Sequence, residues 1–194
     1  MNLVDISESA TVTRWHSANC HRYPSIAEHS FLVTMYAKEL LKQVHPDATQ
    51  NDELLVINHA LHHDLAETVC GDLGTPFKRA LEKKCQDLNI GNPIEDIEDK
   101  VCPSAKLHRE ACDDFHYIIV KLADILDAIK FISVEGKGAS APKILKERKN
   151  AYRQYVDKGV SLHPEYEWNS AHKILDDLLD GTPTEIDFVE IIPN

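Results

Sequence analysis

The stretch Tyr117 to Ile132 is apolar nearly all the way round a helix. A helix with no polar face has to be buried, and burying it requires other elements on every side. The middle of this stretch nonetheless carries a carboxylate, Asp124. An unpaired carboxylate is expensive in an apolar interior, so Asp124 needs a cationic or metal partner. The remaining pattern agrees with a helical cover. Glycine is sparse at seven residues, alternating β-branched runs are few, and helical periodicity dominates. The expected class is all-α, with five to six main helices around that central one.

Helix limits follow from local signals. A first helix is expected from near Ser7 to before Arg14, then a loop over 15–26. Ser25 with Glu28 three residues on forms a capping box, opening a helix over roughly 26–44. On it His29, Leu32, Val33, Tyr36 and Leu40 share a face, which turns His29 inward. A helix over roughly 52–69 follows and should stop at Gly71. Asp72 to Pro76 reads as a turn before a short helix from Phe77 to about Leu88, and 89–104 as loop with at most a short helix. The central helix should span roughly 107–134, with outer helices at 143–158 and 169–179 and an irregular tail after Gly181. The length of 194 residues suits one domain, its core at about 5–150 and its C-terminal helices and tail at 151–194.

Composition narrows the function. Hydrophobic residues make up 43%, and the apolar runs are short and interrupted by charge, so no membrane span is expected. The N-terminus lacks a basic region followed by an apolar one, so it does not read as a secretory signal. Five cysteines without C-x-x-C spacing suit a reducing cytoplasm and argue against a thiolate zinc site. A net charge of −11 without a basic stripe argues against a nucleic-acid duplex as partner. A small anion remains possible, because a metal and a few local cations can dominate one pocket.

The chemistry concentrates in His29, His63, Asp64 and Asp124, four side chains that three helices could bring to one divalent cation. Two imidazoles and two carboxylates suit ions such as Mn, Co or Zn. Glu67 lies one turn beyond the His63-Asp64 pair, and Asp72 a little further, both placed to act on a metal-bound water. This constellation implies metal-assisted hydrolysis. A zincin reading of His59 and His63 fails, since position 60 is Ala rather than Glu. His59 reads as a packed histidine and His62 as a surface one. Arg14-Trp15 suits a nucleotide, with guanidinium for phosphate and indole for sugar or base. Two other classes fit the residues less well. A binding module with a structural metal would be expected to have lost Glu67 and Asp72. A cyclic-nucleotide phosphodiesterase would want a second metal and more ligands.

These strings resemble a known family. Arg14-Trp15, Ala27-Glu28-His29-Ser30, His62-His63-Asp64-Leu65-Ala66-Glu67 and Gly71-Asp72-Leu73-Gly74-Thr75-Pro76 are similar to the HD-domain metal-dependent phosphohydrolases. Within them they look like the YfbR-like 5′-deoxynucleotidase subgroup, which includes phage-encoded dATP triphosphohydrolases. The resemblance implies an HD helical bundle around one divalent ion (Co, Mn, Zn or similar) held by His29, His63, Asp64 and Asp124. It implies that Glu67 orients or activates the water. Arg14 and Lys78 would meet phosphate, and Trp15 would pack against the sugar and disfavour a 2′-hydroxyl. Thr75 would line the substrate site, and Asp72 would hold the 3′-hydroxyl or assist proton transfer. The leading expectation is a deoxynucleoside 5′-monophosphatase, with a dATP triphosphohydrolase as runner-up. A homo-oligomer is implied, in the cytoplasm or in a host's cytoplasm if phage-encoded. One departure is Gly74, where relatives often carry Pro in a D-x-P-T-P turn. It puts base preference in question, as does His16-Ser17.

Overall fold

The computed structural model describes residues 1–183, and these form ten helices and no strand. The expected tail beyond residue 183 lies outside the described residues. The helices are α1 (Leu3–Glu8), α2 (Ile26–Val44), α3 (Gln50–His62), α4 (Glu67–Cys70), α5 (Thr75–Leu88), α6 (Pro93–Val101), α7 (Pro103–Glu110), α8 (Asp114–Glu135), α9 (Ser140–Leu162) and α10 (Asn169–Asp180). The all-α expectation holds, and α8 is the buried centre: Ile118, Ile119, Leu122, Ala123, Leu126 and Ile129 are fully inaccessible. Helices α2, α3, α9 and α10 pack around it. Among the described residues no helix is long and apolar enough to cross a membrane.

Helix starts are set by side chains that satisfy the first free N–H groups, at α2, α3 and α8 among others. Ser25 Oγ accepts from the Glu28 N–H at 3.1 Å while Glu28 returns a bond to the Ser25 N–H at 2.9 Å, opening α2 where expected. Thr49 and Asp52 make the same reciprocal pair at α3. Asp113 accepts from the His116 N–H at 3.0 Å and starts α8.

Several limits differ from expectation. The first helix is Leu3–Glu8 rather than one beginning near Ser7, because Asn2 and Asp5 form a capping box at its start. The stretch 89–104 is mostly helical: Pro93 and Pro103 open α6 and α7, positions where the missing N–H costs nothing. The single helix expected over 107–134 is therefore two, α7 and α8. Helix α9 begins at Ser140, and α5 at Thr75. The helix expected over 52–69 breaks after His62. There the Leu65 N–H reaches back only to the His62 carbonyl, at 3.1 Å, and the Glu67 N–H to the Asp64 carbonyl, at 3.0 Å. These three-residue bonds tighten the chain into a turn. The turn carries His63 and Asp64 out of α3 and leads into α4. Gly71, at φ +80°, ends α4 in a backbone conformation that side chains resist.

Candidate active site

Helix α2 supplies His29, the turn after α3 supplies His63 and Asp64, and α8 supplies Asp124. His29 is buried at 2% exposure. Its Nε2 lies 3.1 Å from His63 Nε2 and 3.3 Å from Asp64 Oδ2, and His63 Nε2 lies 3.4 Å from that same oxygen. Bonds of about 2.05 Å at tetrahedral angles would put neighbouring ligand atoms roughly 3.3 Å apart. The triangle therefore has the edge length of one face of a zinc-type polyhedron. Asp124 Oδ1 stands 3.6 Å from His29 Nε2, while Asp124 Oδ2 is held by Lys121 Nζ at 2.6 Å. Three of the four expected ligands thus form a tight group that could hold a metal ion, and Asp124 flanks it.

The donor chemistry fits a cation. His29 Nδ1 is 2.7 Å from Asp127 Oδ2, and His63 Nδ1 is 2.7 Å from the Ala60 carbonyl. Both partners only accept, so each Nδ1 carries a proton and each neutral ring turns a lone pair on Nε2 toward the other. Two facing lone pairs beside a carboxylate need a positive charge among them. For the side chains alone a proton supplies it. Burial and Arg14 oppose a charged His29, yet the carboxylates of Asp127 and Asp64 outweigh them and push it up to about 9. His63 is held below its ordinary value by burial.

Arg14 pairs with Asp64, and its own charge is secured against burial by Asp64, Glu67, Asp124 and Asp72. Trp15 follows with φ +68°, a conformation rare outside glycine and typical of residues held by their site. Its N–H donates to Asp72 Oδ2 at 3.2 Å. Its indole stacks on Phe131 at 5.7 Å between centroids, and the Arg148 guanidinium lies 5.8 Å from the ring centre. Arg148 also donates to Thr75 Oγ1 at 2.9 Å.

Glu67 is 3% exposed. Its Oε1 accepts from Lys78 Nζ at 2.7 Å, and its Oε2 is buried without a partner among the described residues. Burial, then the like charge of Asp64, pushes the Glu67 carboxyl up to about 8 against Arg14 and Lys78. Lys78 is shared with Glu98 at 3.2 Å, so it reaches toward the site through Glu67.

Two of the cavities beside these groups, one on Arg14 and Asp72 and one on His63 and Asp64, share no residue. The larger, about 480 Å³, is lined by Arg14, Trp15, Ser17, Asp72, Thr75 and Arg148, among others. Gly74 lines it too, and a side chain there would meet Ser17 Oγ at 3.4 Å. The smaller, about 170 Å³, opens on His63, Asp64 and Asp124 and is walled by His59, Arg109, Tyr117 and Lys121. His59 is buried, as expected, and stacks on Tyr117 at 5.9 Å. His62 is half-buried rather than on the open surface, against His108 at 4.5 Å between ring centroids.

Asp127, Lys121, Arg109 and Arg148 were not singled out in the sequence. A second acid in the most apolar helix was a signal for Asp127. Nothing in local spacing marks the three cations.

His29, buried, and His63, Asp64 and Asp124, half-buried, meet inside an all-α bundle of the fold seen in HD phosphohydrolases. The structure matches the cyanophage S-2L HD phosphohydrolase DatZ, described as bound to dA and one catalytic Zn²⁺ ion, with a TM-score of 0.78, 19% identity, and 94% of this chain and 98% of that one covered. It also matches a Pyrococcus horikoshii protein with a TM-score of 0.59, 20% identity, and 91% of this chain and 96% of that one covered. The chain belongs to the YfbR-like 5′-deoxynucleotidase family, whose model matches residues 3–140. It is 26% identical over 201 residues to a dATP triphosphohydrolase of Acinetobacter phage SH-Ab 15497, covering 97% of each chain. It is 30% identical over 135 residues to the 5′-deoxynucleotidase YfbR of Escherichia coli O1:K1, covering 63% of this chain and 66% of that one.

Proposed function

We propose that the protein hydrolyses 2′-deoxynucleotides at the 5′ phosphoester, and that deoxynucleoside triphosphates are its better substrates, leaving a deoxynucleoside and triphosphate. The deoxynucleotide part rests on family membership and on the ligand triangle. The triphosphate part rests on the smaller cavity. A monophosphate needs only a nucleoside pocket and a place for one phosphate. A second cavity that opens on the ligand set and carries Arg109 and Lys121 suits the rest of a phosphate chain. Similarity over nearly the whole length to a phage enzyme named dATP triphosphohydrolase supports the same reading. The monophosphatase reading is favoured by the higher identity to YfbR over the shared segment.

His29, His63 and Asp64, with Asp124, would hold a divalent ion of the Co, Mn or Zn kind. Such an ion would acidify a water and neutralise phosphate charge. In the larger cavity Asp72 would accept from the 3′-hydroxyl, and Trp15 would crowd C2′. Arg14, tied to Asp64, would meet the phosphate nearest the sugar. Glu67, steadied by Lys78, would take the proton of the attacking water or give one to the departing 5′ oxygen. A homo-oligomer and a cytoplasmic setting, a host's if the chain is phage-encoded, remain part of this reading. Exposed Phe31 and Met35, one turn apart on α2, are consistent with a covered face between copies.

The test is to incubate the protein with Co²⁺, Mn²⁺ or Zn²⁺ and a panel of dNMP, dNTP and ribonucleotides, then separate the products by chromatography. Triphosphate released from dNTP with a kcat/KM about tenfold or more above that for dNMP is expected. Phosphate released from dNMP with slower dNTP turnover would restore the monophosphatase.

A further inference from the structure

Asp127 is 5% exposed on α8, three residues after Asp124 and so on the same side of that helix. The hydrogen bond it makes is to His29 Nδ1, at 2.7 Å, the length of a charge-assisted bond. We infer that Asp127 is the positioning residue of the metal site: it fixes the ring and the tautomer of His29 so that Nε2 presents a lone pair to a divalent ion. This rests on the reading of His29 as a ligand.

The two imidazoles of the triangle are backed differently. His63 leans on a neutral backbone carbonyl, Ala60 O, whereas His29 leans on a carboxylate. A carboxylate acceptor holds the proton on Nδ1 more firmly and makes Nε2 the stronger donor, as second partners of metal-bound histidines generally do. The alternative is a polar tie between α2 and α8 with no consequence for the ligand. Simple packing does not explain a carboxylate there, since an apolar side chain between two apolar helices would be no worse.

The surroundings allow a direct test. A cavity of about 220 Å³ is lined by both His29 and Asp127, together with Arg22, Tyr36 and Lys130. Removing the Asp127 carboxylate therefore opens space that a small anion such as formate could enter.

The dissociation constant of Co²⁺ or Zn²⁺ should be measured by chelator competition at pH 8. Wild type, Asp127→Asn, Asp127→Ala and His29→Ala are compared, each below its own melting temperature. Asp127→Asn and Asp127→Ala should bind the ion about 10–100-fold more weakly than wild type. Added formate should recover part of the loss in Asp127→Ala and none in His29→Ala. Wild-type affinity in both Asp127 variants, with His29→Ala defective, would overturn the role of Asp127 alone. Equal affinity in wild type and His29→Ala would instead overturn the reading of His29 as a ligand. Asp127→Asn is near-isosteric, and its metal-free melting curve separates loss of fold from loss of affinity. An affinity loss at unchanged melting supports positioning, and lowered melting at unchanged affinity overturns it.

Discussion

Glu67 has one oxygen on Lys78 and the other bare in the interior. A buried carboxyl pushed up to about 8 can hold or release a proton near neutrality, which is what an acid–base group needs. Glu67→Gln keeps the shape and removes the titration. It should leave Co²⁺ or Zn²⁺ affinity within about threefold of wild type and lower kcat by roughly 10²–10⁴. A variant turning over at the wild-type rate would take Glu67 out of the mechanism and move Asp72 into its place. Glu67 was legible in the sequence because its chemistry follows from spacing to the His63-Asp64 pair. Asp127 was marked only as a second acid in an apolar helix; its role was not legible, because its partner His29 lies 98 residues away and only the fold brings them together.

Helix α2 could be read almost directly, since its apolar period and its Ser25–Glu28 cap are both local, and the cores of α3 and α8 were legible though their limits were not. The errors fall where one signal has two meanings. The stretch 89–104 reads as loop because proline commonly breaks helices, yet proline also begins them, and here Pro93 and Pro103 begin α6 and α7. The break after His62 has no sequence mark. It comes from the chain tightening to place His63 and Asp64 beside His29. Helix α9 lies beyond the matched family segment, and no motif flagged its contribution to the larger cavity. Arg148 on this helix both bonds Thr75 and covers Trp15. Arg148→Met keeps the apolar stem and loses the fork and its charge. A cation–aromatic contact is worth about 0.5–1 kcal/mol and a hydrogen bond from a charged donor such as a guanidinium about 1.5–3 kcal/mol. Both contacts hold the wall of the larger cavity, so KM for a deoxynucleotide should rise about tenfold or more while metal affinity stays at the wild-type value. An unchanged KM would mean that Arg148 only packs α9 against the rest of the pocket.

At the scale of the whole molecule, the site's buried charge ties stability to pH. His59 is the group outside the ligand set that carries this linkage most plainly. It sits at 5% exposure against Tyr117, with a buried Nδ1 that has no partner among the described residues. Burial, followed by the charges of His63 and Arg109, pushes it down to about 4. The unfolded chain binds a proton at His59 below about 6.5 and the folded chain only below about 4. Between those values the unfolded state holds more protons, so stability rises with pH across that window and is lost as the solution is acidified through it. The loss attributable to His59 is up to about 3 kcal/mol. His59→Phe would keep an aromatic ring beside Tyr117 and remove the titration. Melting curves of wild type and His59→Phe, recorded without metal from pH 7 to pH 4, should run closer together at pH 7 and separate on acidification, the variant falling less. Parallel curves over the whole range would mean that His59 is solvated or paired in the folded protein and does not drive its acid sensitivity.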